Sequence, residues 1–259
     1  MRVVVTRWCT VVNKTYPVME IFGPTIQGEG AVAGKPTHFV RFGGCDNRCH
    51  WCDTEFSVLP EKVRENAVRM TEAEIAEHVF GLSGKPEWVT LSGGNPAMMQ
   101  LTHLIRYLHD AEFKVAVETQ GTIWREWLAT VDQLTISPKA PSSLMQDRTL
   151  EMLPPFMAQV LQKAGQANPC LKVPVFDRTD FEYAKTIKAA FPQYPFYLSI
   201  VTRMGGLYGD FDGGAIDTLE DLGDRFRRVA EWTAHDPLMG DATVIPQLHV
   251  FAWGHKRGV

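Results

Sequence analysis

Short runs of β-branched and aromatic residues alternate along the chain with stretches in which apolar residues recur every three or four positions. The first pattern reads as strand and the second as amphipathic helix. Strands are expected at residues 38–42, 88–91, 114–118, 133–137, 171–175 and 196–201, with a last one around 243–249. Helices are expected between them. Thr71-x-x-Glu74 has the form of a capping box and opens one that runs to about Phe80. Leu101, Leu104, Ile105 and Leu108 place an apolar stripe on the next. Phe181, Ala184, Ile187 and Phe191 do so on another, and Leu219, Leu222, Phe226 and Val229 on the last long one. Strand and helix in alternation build a parallel sheet from βαβ units. The fold class is therefore α/β, and about six parallel strands suit an abridged, partial (β/α) barrel better than a closed eight-fold one. In such folds chemistry gathers at the carboxyl ends of the strands.

The motifs that stand out all fall at such ends. GCDNRCHWCDT (Gly44 to Thr54) follows the first expected strand, SGGNP (Ser92 to Pro96) the second, ETQG (Glu118 to Gly121) the third and SPK (Ser137 to Lys139) the fourth. Residues 1–16 alternate poorly and read as an N-terminal extension to one domain spanning 1–259.

Composition changes this picture little. Of 259 residues, 45% are hydrophobic and 22% charged, an ordinary globular balance. A net charge of −4 argues against a protein that grips a nucleic-acid backbone. No apolar run approaches membrane-spanning length, and MRVVVTRWCTVV is too short and too interrupted by Arg7 for a signal peptide. A soluble, cytoplasmic protein is expected.

That compartment bears on the cysteines. Thiols stay reduced in the cytosol, so clustered ones bind metal or do chemistry more often than they pair. The chain has five, an odd number; Cys9 and Cys170 lie far from the cluster and read as small hydrophobes. Cys45-x3-Cys49-x2-Cys52 admits three readings. Structural zinc wants four tetrahedral ligands, and His50 would have to fold back awkwardly to be the fourth. A disulfide is disfavoured by compartment and by number. An iron–sulfur cluster usually takes four cysteines, so three thiolates on a 4Fe–4S cube would leave one iron open. An open coordination position usually marks a reactive site.

CDNRCHWC resembles the CxxxCxxC motif of the radical S-adenosylmethionine (SAM) superfamily, with Trp51 just before the last cysteine. The resemblance implies a radical SAM type of partial barrel and a 4Fe–4S cluster on Cys45, Cys49 and Cys52. The open iron would bind the amino and carboxylate groups of SAM, whose reductive cleavage yields a 5′-deoxyadenosyl radical. Further motifs narrow it. EIFGPTIQGEG, FVRFGGCDNRCHWCDT, SGGNP, VETQGT, ISPK and PQLHVFAWGHKRGV run in order from residue 20 to 259 and resemble the 7-carboxy-7-deazaguanine synthase family. That family is implied to turn 6-carboxy-5,6,7,8-tetrahydropterin into 7-carboxy-7-deazaguanine, with loss of ammonia, on the way to deazapurine nucleosides of the queuosine type. Hydrogen abstraction would be followed by ring contraction, with SAM regenerated, so no side chain is assigned the bond-breaking itself.

The substrate is a flat, polar heterocycle with a carboxylate. Arg41 matches the family's arginine, and its fork suits bidentate carboxylate binding. Ile26, Gln27 and Gly28 would approach the ring closely, and Glu29 and Glu118 would accept its guanidine-type hydrogens. Ser92 would face the substrate. Gln247 and His249 match a Gln-x-His near the end, and in relatives the terminal carboxylate, here of Val259, approaches the substrate. Trp51, Cys52, Asp53, Gly93, Gly94, Asn95, Ser137, Pro138 and Lys139 are implied to bind SAM, with further contacts near Ser199. Asn95 departs from the superfamily's usual GGEP, losing the charge-assisted part of any hydrogen bond. Thr54 is implied to help bind Mg²⁺, a hard cation that takes oxygen ligands and seldom a full protein cage. An external one-electron reductant of flavodoxin or ferredoxin type and a homodimer are the implied partners. Two alternatives stand beside this reading: a radical SAM activating enzyme for a glycyl-radical protein, and a zinc-stabilised binding module.

Overall fold

A computed structural model describes residues 14–163, 165–202, 217–254 and 256–258. Cys9 and Val259 lie outside the described residues, as does most of the expected N-terminal extension.

Nine strands form one sheet: β1 (Tyr16–Ile26), β2 (Pro36–Phe42), β3 (Val68–Met70), β4 (Trp88–Gly93), β5 (Lys114–Thr119), β6 (Gln133–Ile136), β7 (Asn168–Val175), β8 (Phe196–Ile200) and β9 (Thr243–Ile245). Their spatial order is β3-β1-β2-β4-β5-β6-β7-β8-β9, and the sheet is open, with β3 and β9 at its edges. β2 and β4 to β9 pair in parallel throughout, which is the expected partial barrel extended by β9. β1 and β3 were not foreseen and add antiparallel at the β2 side. β1 is hard to read because Gly23-Pro24 interrupts it and its pairing with β2 slips in register on either side of Phe22.

The helices are α1 (Pro60–Asn66), α2 (Glu72–Phe80), α3 (Thr102–Asp110), α4 (Gln146–Lys163), α5 (Arg178–Ala190), α6 (Leu219–His235) and α7 (Leu248–Trp253). α2 begins at the expected capping box: Thr71 Oγ1 accepts from Glu74 N at 3.3 Å and Glu74 Oε2 accepts from Thr71 N at 2.7 Å. α4 carries Pro154 and Pro155 in its interior, an arrangement that costs roughly 3 kcal/mol per proline in an isolated helix. Leu153, Phe156, Met157 and Val160 are buried at helical spacing and hold it against the core. The expectation of a strand over 243–249 is corrected: β9 stops at Ile245, and the apolar run LHVFAW turns as α7. Its β-branched and aromatic content suits either element, and only Val250 is buried among its residues.

Side chains alternate across the sheet with period two. Val40, Phe42, Leu91, Val115, Val117, Leu134, Ile136, Leu171, Val173 and Leu198 are fully buried in the core. The alternate positions of the same strands carry Arg41, Ser92, Glu118, Lys172 and Ser199, which line a cleft. The inner face of the open barrel is therefore polar, and the cleft is where that polarity is used. Among the described residues no helix is long and apolar enough to cross a membrane.

Thr71→Ala removes the hydroxyl's two hydrogen bonds with Glu74 at the head of α2 and leaves the backbone N–H of residue 71 on Glu74 Oε2. We expect a loss of about 1 kcal/mol in denaturant unfolding, and an unchanged midpoint would refute the box's contribution.

Candidate functional site

The cysteine loop leaves the carboxyl end of β2 with no regular structure of its own, and neighbouring turns hold it. Gly94 N donates to Phe42 O at 3.0 Å, Asn95 N to Gly44 O at 2.8 Å, Gly44 N to Ser57 O at 2.7 Å and His50 N to Ser143 O at 3.0 Å. A Cβ on Gly94 would stand 1.9 Å from Gly44 O, so only glycine lets the end of β4 lie this close to the loop. Trp51 Nε1 donates to Ser142 Oγ at 2.9 Å, and Ser142 is held in turn by the buried Asp180 of α5.

Cys45, Cys49 and Cys52 are unpaired and all three line one cleft. Burial pushes their thiols up, Cys49 to about 11 and Cys52 to about 12, with the Asp53 carboxylate adding to the effect at Cys52. Such thiols stay neutral on their own and ionise only against a cationic centre. Among the described residues no group of three or more His, Cys, Asp or Glu side chains has the arrangement to hold a single metal ion.

Does the cleft fit a cluster with its co-substrate? The cleft encloses about 230 Å³ of space that water can reach. Ser92 Oγ, Gln120 Oε1 and both amide atoms of Asn47 are buried there without a hydrogen-bond partner among the described residues. Unmet buried polar atoms are costly, so a cleft that gathers several is built to receive polar groups. Three thiols and these atoms fit an iron–sulfur cluster that keeps a small polar molecule beside it.

An ion triad centred on a buried lysine joins the cleft to the recess beside it. Lys172, 2% exposed in its side chain, lies between Glu29 and Glu118, with its Nζ 2.5 Å from Glu118 Oε1 and hydrogen-bonded to Glu29 Oε2. Ser199 Oγ donates to Glu29 Oε1 at 3.1 Å. Burial alone would raise the Glu29 pKa; the ammonium of Lys172, helped by His249 and Gln247, outweighs it and holds the carboxyl at about 2. The same two carboxylates push Lys172 upward against its burial. The triad carries one net negative charge.

A second charge group stands at the mouth. Arg41 Nε donates to Glu20 Oε2 at 2.9 Å, and Arg257 donates to Glu20 Oε1 from Nη2 at 2.6 Å and Nε at 3.0 Å. Arg257 lies 3.5 Å from the centre of the Phe56 ring, and Arg41 lies 5.6 Å from it. Two guanidiniums share one carboxylate, so this wall is one positive charge in excess. It faces the cleft that both arginines line.

Most of the residues singled out in the sequence meet here. Ile26, Gln27, Gly28, Glu29, Arg41, Trp51, Asp53, Thr54, Ser92, Gly93, Gly94, Glu118, Lys139 and His249 line the main cleft with the cysteines. Gln247 and Ser199 line an adjoining recess with Lys172. Gly28 and His249 fit each other: a Cβ at 28 would stand 2.1 Å from His249 Nδ1. Thr54 Oγ1 is 3.7 Å from Cys52 Sγ and caps no helix with its side chain. Asn95, Ser137 and Pro138 line neither cavity. Asn95 is fully buried behind the wall, where Nδ2 donates to Asp46 Oδ1 at 2.8 Å and Oδ1 accepts from Ala97 N and Thr119 Oγ1. Ser137 Oγ accepts from Lys139 Nζ at 2.8 Å and so positions the lysine.

Lys172, Arg257, Glu20 and Gln120 were missed. Lys172 could have been found, since a lone cation in the apolar run CLKVPV demands a partner just as Arg41 does. Gln120 lay inside a quoted motif, but nothing in the sequence gives its direction.

The chain matches the family model of the Radical SAM superfamily over residues 39–167. It is 38% identical to the 7-carboxy-7-deazaguanine synthase of Bacillus cereus, over 94% of this chain and 98% of that one. It is also 38% identical to the Bacillus subtilis protein of the same name, over 95% and 99%. Among solved structures it superimposes on QueE from Escherichia coli with a TM-score of 0.60, at 21% identity and over 90% of this chain and 94% of that one. Streptococcus suis SuiB bound to S-adenosylmethionine gives 0.53, at 15% identity, over 80% and 51%. Those two share the fold.

The triad sets a dependence on pH. Glu29 titrates at about 2 when folded, below its ordinary 4.5, so the stability it contributes is present above that ordinary value and is lost as pH falls toward 2. Lys172→Met removes the ammonium and leaves burial to raise the Glu29 carboxyl. We expect the variant to melt lower than wild type near neutral pH and to lose the part of the acid-side fall that Glu29 causes between about pH 4.5 and 2; coincident profiles would show that the lysine does not hold Glu29.

Proposed function

The chain belongs to the 7-carboxy-7-deazaguanine synthase family of the radical SAM superfamily, and from that premise we propose how its own residues divide the work. It is a radical SAM enzyme that converts 6-carboxy-5,6,7,8-tetrahydropterin to 7-carboxy-7-deazaguanine with release of ammonia. The observation that carries this reading is the convergence of three unpaired thiols on one polar cleft with Glu29, Glu118 and Arg41. When bound, the 4Fe–4S cluster and SAM supply the electron and the 5′-deoxyadenosyl radical that removes hydrogen from the substrate.

What remains for the protein is holding and shielding. Cys45, Cys49 and Cys52 are the cluster ligands. The SAM wall is formed by Trp51, Asp53, Gly93, Gly94 and Lys139, while Asn95 and Ser137 support it from behind, the one through Asp46 and the other through Lys139. Arg41 presents the guanidinium nitrogens that Glu20 leaves over to the substrate carboxylate, and Arg257 adds positive charge on the same side. Glu29 is fully engaged with Lys172 and Ser199, so its part is to fix Lys172 and the adjoining Gln27–Gly28 backbone. Glu118 keeps an oxygen that accepts from the amino-pyrimidine edge. Thr54, with the substrate's own oxygens, is the protein's share of a Mg²⁺ site. The reductant is a one-electron carrier of flavodoxin or ferredoxin type, the assembly a homodimer and the compartment the cytoplasm.

Anaerobic reconstitution followed by metal analysis tests the whole reading. About four irons per chain are expected, with deazaguanine product formed from the pterin; Cys45→Ala, Cys49→Ala and Cys52→Ala should each abolish product. Stoichiometric zinc without iron would end the proposal. Thr54→Val should keep the cluster and SAM binding while raising at least tenfold the Mg²⁺ needed for half-maximal rate; an unchanged requirement would remove Thr54 from the magnesium site.

A further inference from the structure

Gln120 is 8% exposed and stands at the carboxyl end of β5, directly beside the cysteine loop. Its Nε2 is 3.0 Å from Gly94 O and 3.3 Å from Cys45 Sγ. The amide could in principle be turned end for end, but chemistry fixes it here. Gly94 O can only accept, so the nitrogen must face it, and the same nitrogen then points its second hydrogen at the sulfur. Asn47 N also approaches Cys45 Sγ, at 3.4 Å. No side-chain amide is within hydrogen-bonding distance of the sulfur of Cys49 or Cys52 among the described residues. The remaining atom, Gln120 Oε1, is buried, has no partner among the described residues, and belongs to a residue of the cleft wall.

We propose that Gln120 is a positioning residue for the redox centre, whose amide N–H to Cys45 Sγ raises the reduction potential of the bound cluster. The inference rests on the three cysteines carrying a 4Fe–4S cluster. The reasoning is electrostatic. Taking up an electron adds negative charge to the cluster and its thiolates, so a hydrogen bond donated to a ligand sulfur is stronger in the reduced form and favours it. The site is low in dielectric, because Cys45 is itself buried, and there a fixed N–H dipole counts for more than it would in water. Gly94 O anchors the amide from the other side, so the donor cannot swing away from the sulfur. Gln120 thus couples the turn after β4 to the ligand thiolate in one contact.

The experiment is an EPR-monitored redox titration of the reconstituted holoenzyme, with iron counted per chain. Gln120→Met keeps the length and volume and removes the donor. With iron at the wild-type level, its one-electron reduction should become several-fold to tenfold less favourable, the tenfold limit being a shift of 59 mV to more negative potential. Gln120→Glu is a second variant of the same shape, and its carboxylate should lower the potential further. Wild-type potentials in an iron-loaded variant would overturn the proposal. If both variants lose iron while keeping the wild-type melting temperature, the contact serves to place Cys45 and the potential-setting role is overturned as well. Failure of the unmodified chain to take up iron would instead sink the functional reading on which this rests.

Discussion

The close backbone approach between the end of β4 and the cysteine loop is the constraint from which the rest of the site follows. The loop has to present three sulfurs to one cleft without regular structure to stiffen it. It is held from outside, by two hydrogen bonds from the backbone of Gly94 and Asn95 to Phe42 O and Gly44 O. Because a side chain at 94 would collide with Gly44 O, the fit is between backbones and tolerates no substitution that adds a carbon there. Everything carried by those two chain segments inherits its position from this fit. Cys45 is brought under Gln120, Asp46 meets Asn95, and Ser92 and Arg41 sit opposite each other in the β2–β4 register.

Charge is arranged around that fixed loop in two compensated groups. Burying Lys172 alone would be prohibitive, and burying Glu29 and Glu118 together without it equally so. Combined, they leave one negative charge on the far wall, while Glu20 between Arg41 and Arg257 leaves one positive charge at the mouth. The cleft thus carries compensated charge of both signs. The neutral, buried thiols add no charge of their own until a metal centre ionises them.

Much of this was legible in the sequence because the parallel strands are buried on their core-facing side and so read as short β-branched runs between helical stripes. Thr71-x-x-Glu74 announced α2 because capping is local chemistry. What was not legible depends on contacts distant in sequence. α4 contains Pro154-Pro155, which by local preference ends a helix, and it survives on the burial of Leu153, Phe156, Met157 and Val160. The strand expected around 243–249 ends at Ile245, and Leu248 and His249 belong to α7, where His249 meets Gly28 across the chain. Arg41 also pairs with Glu20, on a strand that the sequence pattern does not reveal. Residue types at strand ends marked the site; the partners that set their charge came from β1, β7 and the tail.

Asn95 shows how such partners decide a residue's chemistry. At this turn the superfamily's GGEP would place a carboxylate, and the sequence suggested only a weakened version of the same contact. Within the protein the amide already has partners for both of its ends. Its oxygen takes Ala97 N and Thr119 Oγ1, and its nitrogen gives a hydrogen to Asp46, whose other oxygen is held by Arg148 at 3.0 Å. A glutamate has no hydrogen to donate to Asp46 and would bring a second negative charge to a fully buried position. Asn95 and Asp46 are therefore a matched pair, and the amide is the residue that lets an acidic side chain sit directly after the first cysteine. In this chain the amide of residue 95 ties the turn after β4 to the loop that follows Cys45.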